Sequence, residues 1–157
     1  MKEIIARPGE IIIEQGDHII TSYALGSSLG ICLYDEGIQL GGFVNSILPN
    51  TDTTQGDGKY VDSAIRQLYH KMLAQGGNEK DIYAKLIGGA KLFLLPEADM
   101  DEDIGKANIH AAYEALIDLH IPIKSEDVGD RYGRTIHFHL LDGLVYIETR
   151  NNYLYHI

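Results

Sequence analysis

Residues 24–35, ALGSSLGICLYD, decide how the rest of the chain is read. Gly26-Ser27-Ser28 is a run of small residues, the composition of a tight turn. Leu29 to Tyr34 is an apolar run of strand length, and Ile38 to Asn45 follows it across Asp35-Glu36-Gly37. That pattern predicts a hairpin with Gly37 in the positive-φ position of its turn. A strand, a small-residue turn and a second strand can expose residue 28 beside free backbone N–H groups. Taken alone, three small residues mark an ordinary turn.

Upstream, Ile11-Ile12-Ile13 and Ile19 to Tyr23 flank Glu14-Gln15-Gly16-Asp17, which suggests two strands and a turn. Downstream, Asn50 to Gly58 is polar and aperiodic, and reads as an exposed loop. Val61, Ala64, Ile65, Leu68 and Met72 fall on one helical face within Tyr60–Gln75, and Gly76-Gly77 stops that helix. Ala84 to Ile87 is a buried-strand candidate ending at Gly88-Gly89. A second helix is expected over Ile104–Leu119, with Ile104, Ala111, Ala112, Ala115, Leu116 and Leu119 inward. Thr135–Leu140 and Leu144–Thr149 form a further hairpin across Asp142-Gly143. Mostly adjacent strands with two separated helices give an α+β class, helices in one layer on curved sheets, in a single domain over 1–157.

Composition narrows the function. A net charge of −10, from 13 basic and 23 acidic residues, argues against phosphate-backbone binding and against docking on an anionic membrane. No run of 18 apolar residues predicts a membrane span, and no signal peptide is expected. One cysteine, Cys32, cannot form an internal disulfide, which fits a reducing cytoplasm.

The same segments resemble the CheD family, bacterial chemoreceptor glutamine deamidases. ALGSSLGICLYD is similar to the family's LGSC neighbourhood, with Ser28 in the cysteine's place. GGFVNSILP (41–49) is similar to its GG-x-x-H-x-x-LP pattern, with Asn45 in the histidine's place. AKLIGGA (84–90) resembles AK-x-x-GGA, and Ile104 to Asn108 resembles an IG-x-x-N helix start. DVGDRYGRTIHF (127–138) resembles D-x-GG-x-x-GR, with Asp130 for the second glycine. The resemblance implies mixed β-sheets or a β-sandwich flanked by two helices, related to the cytotoxic necrotizing factor toxins. It implies hydrolysis of receptor glutamines to glutamate, and as partners the cytoplasmic helices of chemoreceptors and CheC-type phosphatases. It also places at Ser22, six residues before Ser28, the hydroxyl that orients the family's histidine. No cofactor and no metal are implied.

Covalent amide hydrolysis needs a nucleophile that is active near neutral pH, and a cysteine paired with histidine supplies it. A serine without a base is a poor nucleophile, and an Asn amide neither takes nor gives a proton usefully. The expectation is therefore a protein that binds receptor or a CheC-type partner with little or no catalysis. The alternative is an active glutamine deamidase, in a parent form with cysteine at 28 or through Ser28 itself. Cys32 lies about 13 Å further along an extended strand, inside an apolar run, and reads as a structural thiol.

Other residues have blander readings. Gly88-Gly89-Ala90-Lys91 lacks phosphate-loop spacing and reads as a strand end with close backbone approach. His137 and His139 share a strand face without a third ligand nearby in sequence, and read as a polar face. His110 and Glu114 lie on a helix face that continues to Asp118 and reads as solvated. Arg131, Arg134 and Lys124 beside Asp127 and Asp130 read as a surface network. Tyr153, Leu154 and Tyr155 in the tail are expected to pack on the core.

Overall fold

A computed structural model describes residues 1–51, 58–92, 103–151 and 153–157. In chain order the elements are β1 (Lys2–Ile5), β2 (Ile12–Gln15), β3 (His18–Leu25), β4 (Leu29–Asp35), β5 (Leu40–Ser46), α1 (Val61–Ala74), β6 (Ile82–Gly88), α2 (Ile104–Asp118), β7 (Ile123–Val128), β8 (Arg134–His139), β9 (Val145–Thr149) and β10 (Leu154–His156). The strands form two mixed five-stranded sheets, ordered β1-β3-β8-β9-β10 and β2-β5-β4-β6-β7.

Alternation along β4 and β5 explains the layering. Leu29, Ile31 and Leu33 point to one side of the second sheet, where they pack with Ile65, Leu68 and Met72 of α1 and Ala112 and Leu116 of α2. Cys32, Tyr34 and Phe43 point to the other side, where they meet Ile20, Ile136, Phe138 and Ile147 of the first sheet. The order is thus sheet, sheet, helices, and β4 and β5 are buried on both faces. Gly41 and Gly42 show how tightly the layers approach. A Cβ on Gly41 would lie 2.3 Å from Leu140 Cδ2 of the first sheet, and one on Gly42 would lie 3.0 Å from Leu68 Cδ2 of α1. The chain of β5 passes between the layers because neither glycine carries a side chain.

Several sequence expectations need correcting. Residues 12–15 and 18–25 do form strands, but they do not pair; β2 joins β5 while β3 joins β8 and, in parallel, β1. The positive φ after β4 belongs to Gln39 (φ 55), not Gly37. Ile104 is 37 % exposed rather than inward. The strands β1, β7 and β10 were not expected. Most of the Asn50–Gly58 loop lies outside the described residues, and Gly58 itself is buried. The α1 stop at Gly76 (φ 98) and the positive φ of Gly143 (76) follow the sequence reading.

Candidate functional site

The site is the corner where β3 turns into β4. β3 loses its register with β8 between Ser22 and Leu25, and Ala24 there is left-handed (φ 56), an uncommon conformation for a residue with a Cβ. Thr135 Oγ1 accepts from the Ala24 N–H at 3.2 Å and holds this kink. The Gly26–Ser28 turn follows.

Every carbonyl of the turn is tied back into the protein. Gly26 O accepts from the Ala90 N–H and Ser28 O from the Gly89 N–H, each at 2.9 Å. Ser27 O accepts from Asn108 Nδ2 at 2.9 Å. Among the described residues no acceptor is given to the N–H of Gly26, Ser27 or Ser28. Among the described residues the turn is polarised, its C=O groups bonded inward and its N–H groups without an acceptor, an arrangement that suits a negatively charged oxygen.

The glycines behind the turn make this possible. A Cβ on Gly105, in the first turn of α2, would lie 2.4 Å from Gly89 O, and one on Gly89 would lie 2.7 Å from Ile109 Cγ1. Gly88-Gly89 and the start of α2 are thus in backbone contact, which brings Asn108 within reach of Ser27. The strand-end reading of Gly88-Gly89 describes this geometry.

Asn45 and Ser28 lie on one face of the second sheet. Gly30 pairs with Asn45, and alternation from Gly30 and Cys32 puts Ser28 on the intersheet side, diagonal to Asn45. A Cβ on Gly30 would lie 3.1 Å from Leu25 Cδ1 and 3.4 Å from Phe43 Cε2, so those side chains fill the space beside it. Ser22 sits on the facing sheet, on the same inward side as Ile20. Asn45 is 4 % exposed, and both its Oδ1 and the Ser22 Oγ are buried without a hydrogen-bond partner among the described residues. Such atoms are uncommon in a native interior and costly. No imidazole stands in this corner: His137 and His139 lie on β8, on the outer side of the first sheet.

Those histidines are accounted for. His137 Nδ1 meets Thr21 Oγ1 at 3.0 Å and its Nε2 meets Glu148 Oε2 at 3.0 Å. The outline is that of a hydroxyl, imidazole and carboxylate triad. Yet Thr21 is buried and donates to Glu3 Oε2 at 3.1 Å, so this hydroxyl is committed to holding β1. Among the described residues no group of three His, Cys, Asp or Glu side chains could hold a metal ion. Cys32 is buried, and burial pushes its thiol well above the usual range. His110, Glu114 and Asp118 are exposed on α2.

The expected surface network around Arg134 is corrected: the residue is 1 % exposed. It donates to both Asp127 oxygens at 3.3 Å and to Gly129 O at 3.0 Å, and Tyr155 OH donates to the same carboxylate. Lys124 turns instead towards Glu36, at 4.0 Å. In the tail Tyr155 and Ile157 pack towards the core, while Tyr153 and Leu154 are exposed. A groove of about 720 Å³ runs from Ala24 and Leu92 past Arg134 and Thr135 to Glu148, Arg150 and Leu154, alongside the turn. The site residue that the spacing alone did not reveal is Asn108. Its trace in the sequence is the IG-x-x-N resemblance, three residues after Gly105 in the first turn of α2.

Comparison with known proteins agrees with this architecture. A family model described as CheD chemotactic sensory transduction matches residues 47–149. The matched stretch begins two residues after Asn45, so it covers the scaffold behind the turn and not the turn itself. The chain is 40 % identical over 134 residues to the protein named 'Probable chemoreceptor glutamine deamidase CheD' of Clostridium botulinum, covering 82 % of each chain. It is 38 % identical over 134 residues to that of Caldanaerobacter subterraneus subsp. tengcongensis, covering 83 % of each. It is 36 % identical over 147 residues to that of Pyrococcus abyssi, covering 92 % of this chain and 90 % of the relative. Among the described residues no helix is long and apolar enough to cross a membrane. Two mixed sheets with two helices on one of them, the glycine-lined turn and these identities lead to one conclusion: the chain belongs to the CheD family.

Proposed function

We propose that this chain is a cytoplasmic chemotaxis protein that binds the glutamine-bearing helices of a chemoreceptor without hydrolysing them. The observation that carries this reading is the corner itself. The turn keeps free N–H groups for an amide oxygen, while residue 45 offers an amide where hydrolysis needs a base. Among the described residues, no base is paired with Ser28. The relatives are named as glutamine deamidases, which supports a receptor as the partner. The groove that begins at Ala24 and Leu92 is the surface proposed to receive that helix. A CheC-type protein is proposed as a second occupant of the same surface, and kinship with the cytotoxic necrotizing factor toxins as the origin of the fold.

Titration of the chain with a receptor cytoplasmic fragment, followed by an ammonia assay on the same mixture, tests this. Binding without ammonia release is expected. Sustained ammonia release that Ser28→Ala abolishes would establish the alternative, a working deamidase. No binding to the fragment or to a CheC-type protein would remove the reading.

A further inference from the structure

We propose that Asn108 is the positioning residue of the turn: its side-chain amide sets the direction in which the N–H of Ser28 points. Of the three carbonyls in the turn, those of Gly26 and Ser28 are held by backbone N–H groups and tolerate most side-chain changes. The Ser27 carbonyl alone depends on a side chain, through Asn108 Nδ2 at 2.9 Å. The Ser27 C=O and the Ser28 N–H belong to one planar trans peptide unit, so they point in opposite directions. Drawing the carbonyl towards α2 drives the N–H of residue 28 out of the other side, beside its own Oγ.

The second hydrogen of the same amide reaches Ile47 O at 3.0 Å, two residues past Asn45. One side chain therefore fixes both arms of the corner, the turn bearing Ser28 and the strand end bearing Asn45. Two carbonyl partners use both hydrogens of Nδ2, so the amide cannot turn round, and Oδ1 is left buried without a partner on a residue that is 0 % exposed. An apolar residue would avoid that cost. What Asn supplies in return is two directed donors, which makes sense only if the position of the turn matters. The inference concerns the geometry of the turn and stands apart from which partner the turn meets.

The test needs no receptor. In a Ser28→Cys variant, alkylation by iodoacetamide across a pH range reports the thiol's titration at residue 28; Cys32 is buried and silent in the folded protein. Outward N–H groups stabilise the thiolate, so the introduced thiol should titrate below the usual value of about 8.5. Adding Asn108→Ala or the near-isosteric Asn108→Asp should move that midpoint up by about one pH unit and slow alkylation at neutral pH about tenfold. Lys85→Met, at the far end of the same layer, should lower the melting temperature and leave the midpoint alone. An alkylation profile that ignores both Asn108 substitutions would overturn the proposal. Should both fail to fold, amide exchange in the unaltered chain decides. Fast exchange of the Ser28 N–H, with protected Gly89 and Ala90 N–H groups, is expected, and a strongly protected Ser28 N–H overturns it.

Discussion

The two ends of the layer between the sheets treat buried polar groups in opposite ways. At the end where β4 finishes, each is satisfied. Lys85 Nζ donates to Gly143 O at 2.8 Å and Ile157 O at 2.9 Å, and Tyr34 OH donates to Leu140 O at 2.6 Å. The Asp35 carboxylate accepts from the N–H groups of Gly37 and Asn78. At the end where β4 begins, Ser22 Oγ and Asn45 Oδ1 have no partner, and Asn108 Oδ1 is orphaned just behind the turn. The remaining orphan among the described residues, Ser125 Oγ, stands apart on β7. A closed network contributes stability; an unpaired one spends it, and the place where a fold does so is where it meets something else. At the closed end burial raises Tyr34 to about 12 and lowers Lys85.

The largest effect expected is at the open end. Ser28→Cys alone should give little ammonia from a receptor fragment. Ser28→Cys with Asn45→His should give about 10²–10⁴ more, the usual worth of a placed acid–base group. Equal rates for the two variants would show that the histidine was overvalued and that the open end lacks only its nucleophile.

Next in size is a cut at the closed end. Lys85→Ala leaves Gly143 O without its side-chain donor and Ile157 O with the Val145 N–H alone, and should cost about 2–3 kcal/mol in urea unfolding, with receptor binding unchanged. A loss of binding at unchanged stability would erase the distinction between the two ends.

A smaller effect of opposite sign is expected from Asn45→Leu. Removing an unpaired buried acceptor should raise stability by about 1 kcal/mol, or about 2–4 °C in melting temperature, while weakening the receptor complex. A destabilised variant would mean that Oδ1 is satisfied in solution and that the open end is as closed as the other.

The smallest effect is a pH slope on the outer face of the first sheet. Burial lowers the pKa of His139, partly offset by Asp142. A histidine with a depressed folded pKa takes up its proton more readily when unfolded. Its contribution is therefore intact above about pH 6.5 and is lost as the pH falls towards the folded value. His139→Gln should flatten the stability curve in that window, and an unchanged slope would remove His139 as its source.

Much of the fold was legible because its central elements are buried on both faces. The unbroken apolar run of Leu29–Tyr34 and the helical spacing from Val61 to Met72 announce themselves within a few residues. The edge strands do not. β7 reads IKSEDV and β10 has three residues; each is a strand only because a neighbour offers it a ladder. The parting of β2 and β3 into different sheets was equally hidden, since a turn of Glu, Gln, Gly and Asp suits a hairpin and a crossover alike. Arg134 read as part of a surface network because no local pattern shows that the layers close over it.

The sequence by itself determined the secondary elements of the core, the turn at Gly26–Ser28, and the absence of sulfur at residue 28 and of imidazole at residue 45. These are facts of composition and of short-range period, and need no third dimension. Only the tertiary structure decided that Ser22, Ser28 and Asn45 face one layer, and that Asn108 clamps the corner from behind. Those relations join residues up to 86 positions apart, from Ser22 to Asn108, through a register and a backbone contact that no local pattern encodes.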